Sequence, residues 1–487
     1  MKKRIAAILL ALSLMLSFTA CKKNPGSSEG TVGSSSDYSS FNEYSSDIVS
    51  DDATESIDSA ADNSSNANTS SGSSANKNTS DKNNQVSTVG NSSLLPKINL
   101  TNKTVKVMLH YDFTESSTIA SYARDTYGIK IEMQVVPFNQ LQNKFINATL
   151  AGKGPDLYPD PSVALMNSGY VTRLDGKFDW TSKLWSGVKS YVDANKWKGG
   201  IWTVPDGTTR DAYVFYNKEM LDEAGEAYPA DLFKQGKWNW DTFYDMAQNL
   251  TVDAKNTGTP TQYGVVLGEY NDLLATTGTV FVSMNSSGIP QNNLKSAAVQ
   301  RYMDFIVKLK KSTAYYGGSA NVRDAFAQGQ VAMVVGRSWY RSSWTSMIKK
   351  GMVGSAPVPK DPQADKSYIS ESSGQSWAIS SKASNPQGAV ALINVMRLMY
   401  IDENIQKQAL DLSIQSGVMT QQLNDEMQLN YQVKAGLQDW VGHFGFPSYV
   451  ADIYNRPLNG EPWSTVAEEV SDSVDFYISE AMRGKIE

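Results

Sequence analysis

Predicted strands and helices alternate over residues 105–158, and this order limits the possible folds more than any other feature of the sequence. Alternating apolar residues predict strands at 105–109, 129–137 and 156–158, and helical spacing of apolar residues predicts helices at 116–127 and 141–150. A strand–helix–strand–helix–strand order implies a mostly parallel sheet with helices on both faces. Ligands of such sheets bind beyond the carboxyl ends of the strands.

The chain has 487 residues, which is too many for one ordinary core, so we expect two domains and additional segments. Residues 21–96 are interpreted as a disordered tether, because Ser, Asn, Asp, Thr and Gly dominate there and large apolar residues are few. The part after Cys21 carries ten acidic and four basic side chains, whereas the chain from Lys97 has 40 acidic and 37 basic ones. The formal net charge of −6 therefore says little about a ligand. It does argue against nucleic acid as a partner.

The first 20 residues are predicted to form a lipoprotein signal peptide. Residues 2–4 are Lys-Lys-Arg, residues 5–16 form an apolar run too short for a permanent membrane span, and Ser-Phe-Thr-Ala precedes Cys21. Cys21 is the only cysteine, and it lies where bacterial lipoproteins are cut and diacylated. We therefore expect a lipid-anchored protein on the extracellular face of the cell membrane. The alternative is a cysteine that is discarded within the signal helix.

Further along the chain, five groups of motifs follow one another in a fixed order. The most specific motif begins with Gly-Ile-Trp-Thr-Val-Pro at residue 200 and ends with Phe-Tyr-Asn-Lys at Lys218. In the motif that follows it, Asp241 is predicted to cap the start of a helix. The others include Pro-Asp-Leu-Tyr from residue 155, Phe-Ala-Gln-Gly-Gln-Val-Ala-Met from residue 326, and Ser-Trp-Ala-Ile-Ser from residue 376. Together they closely resemble the family 1 extracellular solute-binding proteins, which include maltose-binding protein and many sugar-capture lipoproteins. The resemblance covers roughly residues 104–487.

The resemblance implies an α/β protein of two lobes, each a mostly parallel sheet flanked by helices, joined by about three crossing strands. Lobe 1 is expected at 97–206 plus 367–415, and lobe 2 at 207–366 plus 416–487. It further implies a monomeric capture subunit that delivers a carbohydrate, with an oligosaccharide favoured, to the membrane permease of an ATP-driven importer. The alternative is a two-lobed sensing or adhesion receptor that is not coupled to transport.

Nine residues are predicted to contact the solute, because they lie at strand ends or in the motifs on the ligand side. A Trp face can stack on a sugar ring, and Arg and Asp side chains can pair with hydroxyl groups. For each of them the alternative is packing, a helix cap or an ion pair within the protein. The candidates are His110, Tyr111, Asp160, Thr208, Arg210, Tyr270, Arg337, Trp339 and Trp377.

The sequence favours binding over catalysis. It contains no Walker or His-Glu-x-x-His motif, and its Gly-x-Ser-x-Gly match at residues 26–30 lies in the low-complexity tether, where no strand-to-helix elbow is expected. One cysteine and two distant histidines, His110 and His443, give no metal-ligand spacing, so no metal or cofactor is expected. Acidic residues are numerous enough that counting alone does not exclude the carboxylate pair of a glycosidase. However, the polar candidates lie in solute-binding motifs, and the chain is therefore predicted not to be an enzyme.

Overall fold

A computed structural model describes residues 92–484, except 115–117, 269, 286, 370–371, 374 and 445–448. The predicted signal peptide, Cys21 and nearly all of the tether lie outside the described residues. None of the helices in the described part of the chain combines the length and the apolar composition that a bilayer span requires.

The described elements are 15 strands and 16 α-helices. In chain order the strands are β1 (Thr104–Leu109), β2 (Lys130–Val135), β3 (Leu157–Pro159), β4 (Val204–Pro205), β5 (Thr208–Thr209), β6 (Tyr213–Asn217), β7 (Tyr263–Leu267), β8 (Val282–Met284), β9 (Pro290–Asn292), β10 (Val331–Gly336), β11 (Val353–Pro357), β12 (Tyr368–Ile369), β13 (Ser372–Ser373), β14 (Ser376–Ile379) and β15 (Lys434–Ala435). The helices are α1 (Thr118–Tyr127), α2 (Leu141–Leu150), α3 (Val163–Asn167), α4 (Lys189–Ala194), α5 (Lys218–Ala224), α6 (Pro229–Lys234), α7 (Trp240–Asn249), α8 (Asn271–Ala275), α9 (Ala297–Lys310), α10 (Val322–Ala327), α11 (Thr345–Lys349), α12 (Pro386–Ile401), α13 (Glu403–Ser416), α14 (Gln421–Met427), α15 (Tyr449–Leu458) and α16 (Trp463–Arg483).

The first sheet has the strand order β2-β1-β3-β14-β4. Strand β1 pairs in parallel with β2, from Thr104 opposite Lys130 to Leu109 opposite Val135, and also in parallel with β3. Strand β14 returns from the distal part of the chain and runs antiparallel to β3 and β4. Helices α1 and α12 cover one face, where Val105, Val107 and Leu109 are fully buried. We refer to the elements around this sheet as the first lobe.

The second sheet has the order β11-β6-β10-β7 and forms the core of the second lobe. Strands β10 and β7 are parallel, whereas β6 runs antiparallel to both β10 and β11. Every residue of β6, β10 and β11 is buried, as expected for strands that are covered on both faces. The predicted α/β class is confirmed; each sheet contains parallel pairs, and the other strands add antiparallel ones.

Two segments of the chain cross between the lobes and pair with each other. The first runs from β4 to β6 and the second from β11 to β14, and between the sheets β5 pairs antiparallel with β13. A third segment joins them, since β15 pairs in parallel with β12. These pairs form a hinge of crossing strands. The division of the lobes at residues 206/207, 366/367 and 415/416 stays a prediction.

The last helix, α16, contacts elements of both lobes. The Asn292 amide, on the β8–β9 ribbon that follows β7, donates to the Ser471 carbonyl oxygen over 3.0 Å. Further along α16, the Asn167 amide at the end of α3 donates to the Ala481 carbonyl oxygen over 2.8 Å. Trp197 in turn donates from Nε1 to Asn167 Oδ1 over 3.0 Å. This helix therefore ties the first lobe to the ribbon beside the second.

One local prediction is wrong. Asp241 does not cap helix α7; instead the Asn239 side chain accepts the Thr242 backbone N–H, while Thr242 Oγ1 accepts the Asn239 backbone N–H. Asn239 is extended, as an N-cap must be, whereas Asp241 lies within the first helical turn. An acidic residue in the first turn still interacts favourably with the helix dipole.

The Lys218 of the Phe-Tyr-Asn-Lys motif has a structural role in the second lobe. Its Nζ lies 3.2 Å from Glu426 Oε1, and both side chains are only 9% exposed. Glu426 also accepts the backbone N–H of Ser355 over 2.7 Å. The pair thus fastens helix α14 to the start of helix α5, and Glu426 also fastens it to strand β11.

Lys218→Met is expected to lower the free energy of unfolding by about 3 kcal/mol, because it leaves the Glu426 carboxylate buried without its cation. Urea unfolding of the two proteins measures the difference. Lys234→Met is the matched control, since Lys234 pairs with Asp231 at the surface with both side chains more than half exposed. That change should cost no more than about 0.5 kcal/mol. Equal effects of the two substitutions would contradict the structural role of Lys218.

Candidate functional site

Polar and aromatic side chains gather where the first sheet meets the crossing segments. His110 and Tyr111 directly follow β1, and Asp160 directly follows β3. Because β1 and β3 are parallel, both strands end at the same edge of the sheet. Asp206 follows β4 at the start of the first crossing segment. The hinge brings these residues together at the predicted edge of the sheet.

Two carboxylates clamp the returning strand at this edge. Asp160 donates its backbone N–H to the Ser376 carbonyl oxygen over 2.7 Å, and its Oδ1 accepts the Ser376 N–H over 3.0 Å. Asp206 Oδ1 accepts the neighbouring Gln375 N–H over 3.0 Å. Asp160 has a φ of 42°, in the left-handed region that non-glycine residues rarely adopt. Asp tolerates this conformation better than most residues, and the double contact to Ser376 holds it there.

The surroundings disfavour the charged forms of both carboxylates. Burial raises the pKa of Asp206 to about 6, against the opposing effect of the N–H groups of Gln375 and Trp377. Burial among the walls of the site also raises the pKa of Asp160 to about 7; the Ser376 N–H opposes the shift, and the Asp206 charge adds to it. The Asp160 side chain keeps an exposed surface, so water offsets part of this shift. Asp206 is only 9% exposed, so water screens its charge less than that of Asp160.

Trp377 lies behind the site. It is 2% exposed, packs in the core of the first lobe, and donates from Nε1 to Asp206 Oδ2 over 3.2 Å. A solute cannot reach its ring in this conformation. The prediction that Trp377 contacts the solute has no support from this position, which instead orients the Asp206 carboxylate from behind.

His110 and Tyr111 form an aromatic corner at the end of β1. The His110 ring lies edge-to-face with the rings of Tyr111 and Phe138, with centroids 4.8 and 5.5 Å away. Burial lowers the pKa of His110 to about 4, so its imidazole is neutral at pH 7. Burial and the charges of Asp206 and Asp160 raise the pKa of Tyr111. Both side chains are therefore neutral hydrogen-bonding groups.

Arg210 binds the third crossing segment. Its Nη1 donates to the carbonyl oxygens of Tyr431, over 3.0 Å, and Val433, over 2.7 Å. In the opposite direction, the Asn430 amide donates to the carbonyl oxygens of Arg210, over 2.7 Å, and Ala212, over 2.9 Å. Arg210 thus braces the hinge through backbone carbonyls. Thr208, also in the first crossing segment, is half-buried in β5.

Arg337 organises the wall of the second lobe. It follows β10, its Nη2 lies 3.0 Å from Asp272 Oδ1, and its Nη1 donates to the Asp211 carbonyl oxygen over 2.9 Å. Asp211 Oδ1 accepts the Ser338 N–H over 2.8 Å. Asp272 is 1% exposed; burial raises its pKa to about 6, Arg337 opposes this, and Asp211 adds to it. The charge of Arg337 is therefore largely neutralised by its ion pair with Asp272.

The two remaining aromatic candidates, Tyr270 and Trp339, are half-buried on the second lobe. Lys310 donates to the Tyr270 hydroxyl over 2.7 Å. The Trp339 ring packs beside Tyr340 at 4.5 Å, and the Arg323 guanidinium lies 5.0 Å from its centroid. Neither is brought against the Asp160–Asp206 wall by a described contact.

Three residues of the site were missed by the sequence analysis: Asp206, Asp211 and Tyr400. Tyr400 is the penultimate residue of helix α12, and its ring lies so close to Gly207 that a Cβ there would overlap it. Burial, then the charge of Asp206 and the Tyr111 hydroxyl, raise its pKa, so it belongs to the same wall. Asp206 and Asp211 lie on either side of β5 within the first crossing segment, and this position could have identified them from the sequence. Tyr400 gives no such signal, because it lies in the last turn of a largely apolar helix.

Several buried polar atoms around the hinge have no hydrogen-bond partner within the described protein. They are His110 Nε2, Arg210 Nε, Asp272 Oδ2, Gln375 Oε1 and Asn430 Oδ1. Six further atoms of this kind lie elsewhere in the described residues, Thr149 Oγ1 and Gln248 Nε2 among them, so such atoms do not by themselves mark a solute site. Within the described ranges, no group of three or more His, Cys, Asp or Glu side chains could hold a metal ion.

Two lobes, a hinge of crossing strands and polar groups at their junction define a solute-binding protein of the hinged, two-lobed class. Residues 112–398, more than half of the chain, match the model of the bacterial extracellular solute-binding protein family. The chain belongs to this family, which confirms the resemblance seen in the sequence. Comparison with curated proteins gave no match.

Solved structures show the same fold. A cyclic alpha-maltosyl-1,6-maltose binding protein from Arthrobacter globiformis superposes with a TM-score of 0.58 at 14% identity, covering 77% of this chain and 99% of that one. The sugar-binding protein MalE from Xanthomonas citri gives 0.57 at 15% identity, covering 78% and 98%. The ABC substrate-binding protein Lmo0181 from Listeria monocytogenes, in complex with cycloalternan, gives 0.56 at 16% identity, covering 78% and 100%.

Asp206→Asn tests the charge state of the wall. Because the folded-state pKa is raised from 3.8 to about 6, the folded protein binds the proton more tightly than the unfolded chain. Asp206 therefore does not lower the free energy of unfolding below about pH 4, where it is protonated in both states. It lowers that free energy by the full amount above about pH 6, where it is ionised in both states. We expect the unfolding free energy of the wild type, minus that of the variant, to fall by about 2 kcal/mol between pH 4 and pH 7.

Denaturant unfolding across this pH range measures the difference. Asp179→Asn is the control, since hydrogen bonds from Thr181 lower the pKa of the exposed Asp179. For that substitution the difference should change with the opposite sign. A difference for Asp206→Asn that does not depend on pH would show that the carboxylate is not destabilised in the fold.

Proposed function

We propose that this protein is the capture subunit of an ATP-driven importer, which binds a carbohydrate between its lobes and delivers it to a membrane permease. Membership of the extracellular solute-binding family supports the capture role. The three structural neighbours are a cyclic alpha-maltosyl-1,6-maltose binding protein, a sugar-binding protein and a substrate-binding protein in complex with cycloalternan. The observation that carries the proposal is the junction of the lobes, where His110, Tyr111, Asp160 and Asp206 follow the ends of β1, β3 and β4 beside the crossing segments. A polyhydroxylated solute both donates and accepts hydrogen bonds, and it would match such side chains.

The hinge is suited to closure around a solute. Only two residue pairs join β5 to β13, Thr208 with Ser373 and Thr209 with Ser372. Few dihedral angles then have to change for the lobes to rotate. A solute that contacts both walls only when they are close shifts the population toward the closed form, which would be the form that docks on the permease.

The proposed solute contacts lie on both lobes. On the first lobe they are His110, Tyr111 and Asp160, and the structure adds Asp206 and Tyr400 to the same wall. Thr208 lies on the crossing segment between the lobes. Arg210, Tyr270, Arg337 and Trp339 already have partners in this conformation and would contact a solute only if those contacts rearrange on closure; Trp377 would act by orienting Asp206.

We infer that Cys21 is diacylated after removal of residues 1–20, and that residues 21–96 tether the binding domain to the extracellular face of the membrane. The proposed lobes are 97–206 plus 367–415 and 207–366 plus 416–487. The protein would act as a monomer, and it would release its solute chemically unchanged, since the carboxylates of the site hold backbone N–H groups of their own chain.

Solute binding is expected to raise the thermal midpoint of the protein expressed without residues 1–20. Binding to the folded state alone adds about 2.7 kcal/mol at a hundredfold excess over Kd. The panel contains neutral mono- and oligosaccharides, polyols and peptides, and calorimetry measures Kd for each solute that shifts the midpoint. Asp160→Asn should weaken the binding of the best solute, whereas Asp125→Asn, at the far end of α1, should not.

Chromatography of the recovered solute tests whether it is unchanged. Conversion of the sugar during the assay would contradict the non-enzymatic role. A shift with peptides and none with carbohydrates would contradict the proposed substrate class.

Cys21→Ala is expected to release the protein from the membrane, because an acyl anchor needs the Cys21 thiol. Fractionation of cells expressing each form, together with incorporation of radiolabelled palmitate, measures the change. Cys21 is the only cysteine in the sequence, so the label should disappear completely. Equal membrane retention of both proteins would contradict the anchor.

A further inference from the structure

A groove lies at the edge of the first sheet that is opposite the candidate solute site. Strands β1, β2 and β3 are parallel and begin at this edge, whereas the antiparallel β14 ends there at Ile379. The groove has a volume of about 790 Å³ and lies between the end of β14, the start of helix α12 and residues 97–99. The half-buried side chains of Ile98, Ala383 and Val390 give it an apolar lining.

Exposed lysines make this edge of the first lobe basic. Two of them line the groove, and three lie beside the ends of β1, β3 and β14. They are Lys97 and Lys177 in the groove, and Lys103, Lys153 and Lys382 beside the strand ends. Within the described part of the chain, none of the five forms an ion pair. Their charges are therefore available to an acidic partner.

The acidic side chains at this edge do not cancel the positive charge. Asp125, Glu132 and Asp175 each pair with a basic neighbour. Asp156 is buried and accepts backbone N–H groups of its own lobe. Asp179 is exposed near Lys177 and accepts the backbone N–H of Thr181. The five lysines therefore outnumber the acids that lack a basic partner.

The chain that precedes the described residues contains an acidic segment, residues 47–62. This segment holds six of the ten acidic side chains in the part after Cys21, and it holds no basic one. It also contains Ile48, Val49 and Ile57. Acidic and apolar side chains in one short segment match both the basic rim and the apolar lining of the groove.

The groove lies where this part of the chain enters the first lobe. The described residues begin at Ser92, and residues 97–99 already line the groove. Residues 63–91 connect the acidic segment to it, and a coil of 29 residues has an end-to-end distance of about 30 Å. A connection of this length gives a local concentration in the millimolar range, so a contact with a Kd of about 0.1 mM would be occupied about ten to one.

We propose that the acidic segment docks in this groove, with its carboxylates against Lys97 and Lys177 and its isoleucines on the apolar lining. The docked segment leaves the solute site at the opposite edge uncovered. It also draws the domain toward Cys21, because residues 22–46 alone then separate the two. Neither solute capture nor acylation of Cys21 enters this argument, so its test stands apart from theirs.

A spin label within the acidic segment tests the docking in the protein without residues 1–20. Ser56→Cys combined with Cys21→Ala leaves one thiol, in the middle of the segment. At about 10 mM salt, where the Debye length is about 30 Å, we expect about nine-tenths of this label to be immobilised in the electron paramagnetic resonance spectrum. At about 1 M salt the Debye length is about 3 Å, and the label should become mobile. A label at Ser73→Cys, outside the segment, should be mobile at both salt concentrations.

The double variant Lys97→Gln/Lys177→Gln tests whether the groove is the docking site. Both lysines are exposed, so the fold should persist, which the thermal midpoint verifies. The label at residue 56 should become mobile at low salt in this variant. Lys255→Gln/Lys350→Gln is the matched control, because it removes the same charge from exposed positions on the second lobe, and it should leave the label immobilised.

Three outcomes would overturn the proposal. The first is a label at residue 56 that is as mobile at low salt as the label at residue 73. The second is an immobilised label that Lys97→Gln/Lys177→Gln does not release, since the segment would then dock elsewhere. The third is a mobile label together with binding to phosphatidylglycerol vesicles that the same double variant abolishes, which would assign the groove to a membrane surface. None of these outcomes bears on the solute panel.

Discussion

The clamp on the returning strand is the interaction on which the rest of the site depends. Asp160, Asp206 and Gln375–Trp377 come from three parts of the chain, and five hydrogen bonds of 2.7–3.2 Å join them. This clamp fixes the start of β14 where it enters the first sheet between β3 and β4, and with it the end of the second crossing segment. The same carboxylates face the cleft. Asp160 and Asp206 therefore both hold β14 in the first sheet and supply the carboxylates of the site.

The fold was predictable because its signals are local or arranged in order. The strand over 105–109 and the helix at Leu141–Leu150 follow from apolar periodicity and end signals, and the family motifs supply the return to the first sheet. The site was only partly predictable. His110, Tyr111 and Asp160 lie where strand ends place them. Trp377 and Arg210 are of the right type, but tertiary contacts turn the first into the core and bind the second to backbone carbonyls.

The two walls of the cleft handle charge in different ways. The second lobe neutralises its buried Asp272 with Arg337, while the first lobe leaves Asp160 and Asp206 to neutral donors. An open cleft tolerates this arrangement because water reaches Asp160. A closed one does not, so the free energy of closure depends on what the solute or a proton brings to that wall. Under the proposed function, selectivity and lobe movement would therefore depend on the same few groups.

Helix α16 fixes a length that hinge motion cannot change. Asn292 holds it at Ser471 and Asn167 holds it at Ala481, ten residues or about 15 Å apart along a rigid helix. While both contacts persist, the separation of these two asparagines stays constant however the cleft moves. Distances measured across the cleft therefore change when the lobes open or close. A constant distance between Asn292 and Asn167 during that movement would show that the lobes rotate about the side of the protein held by α16.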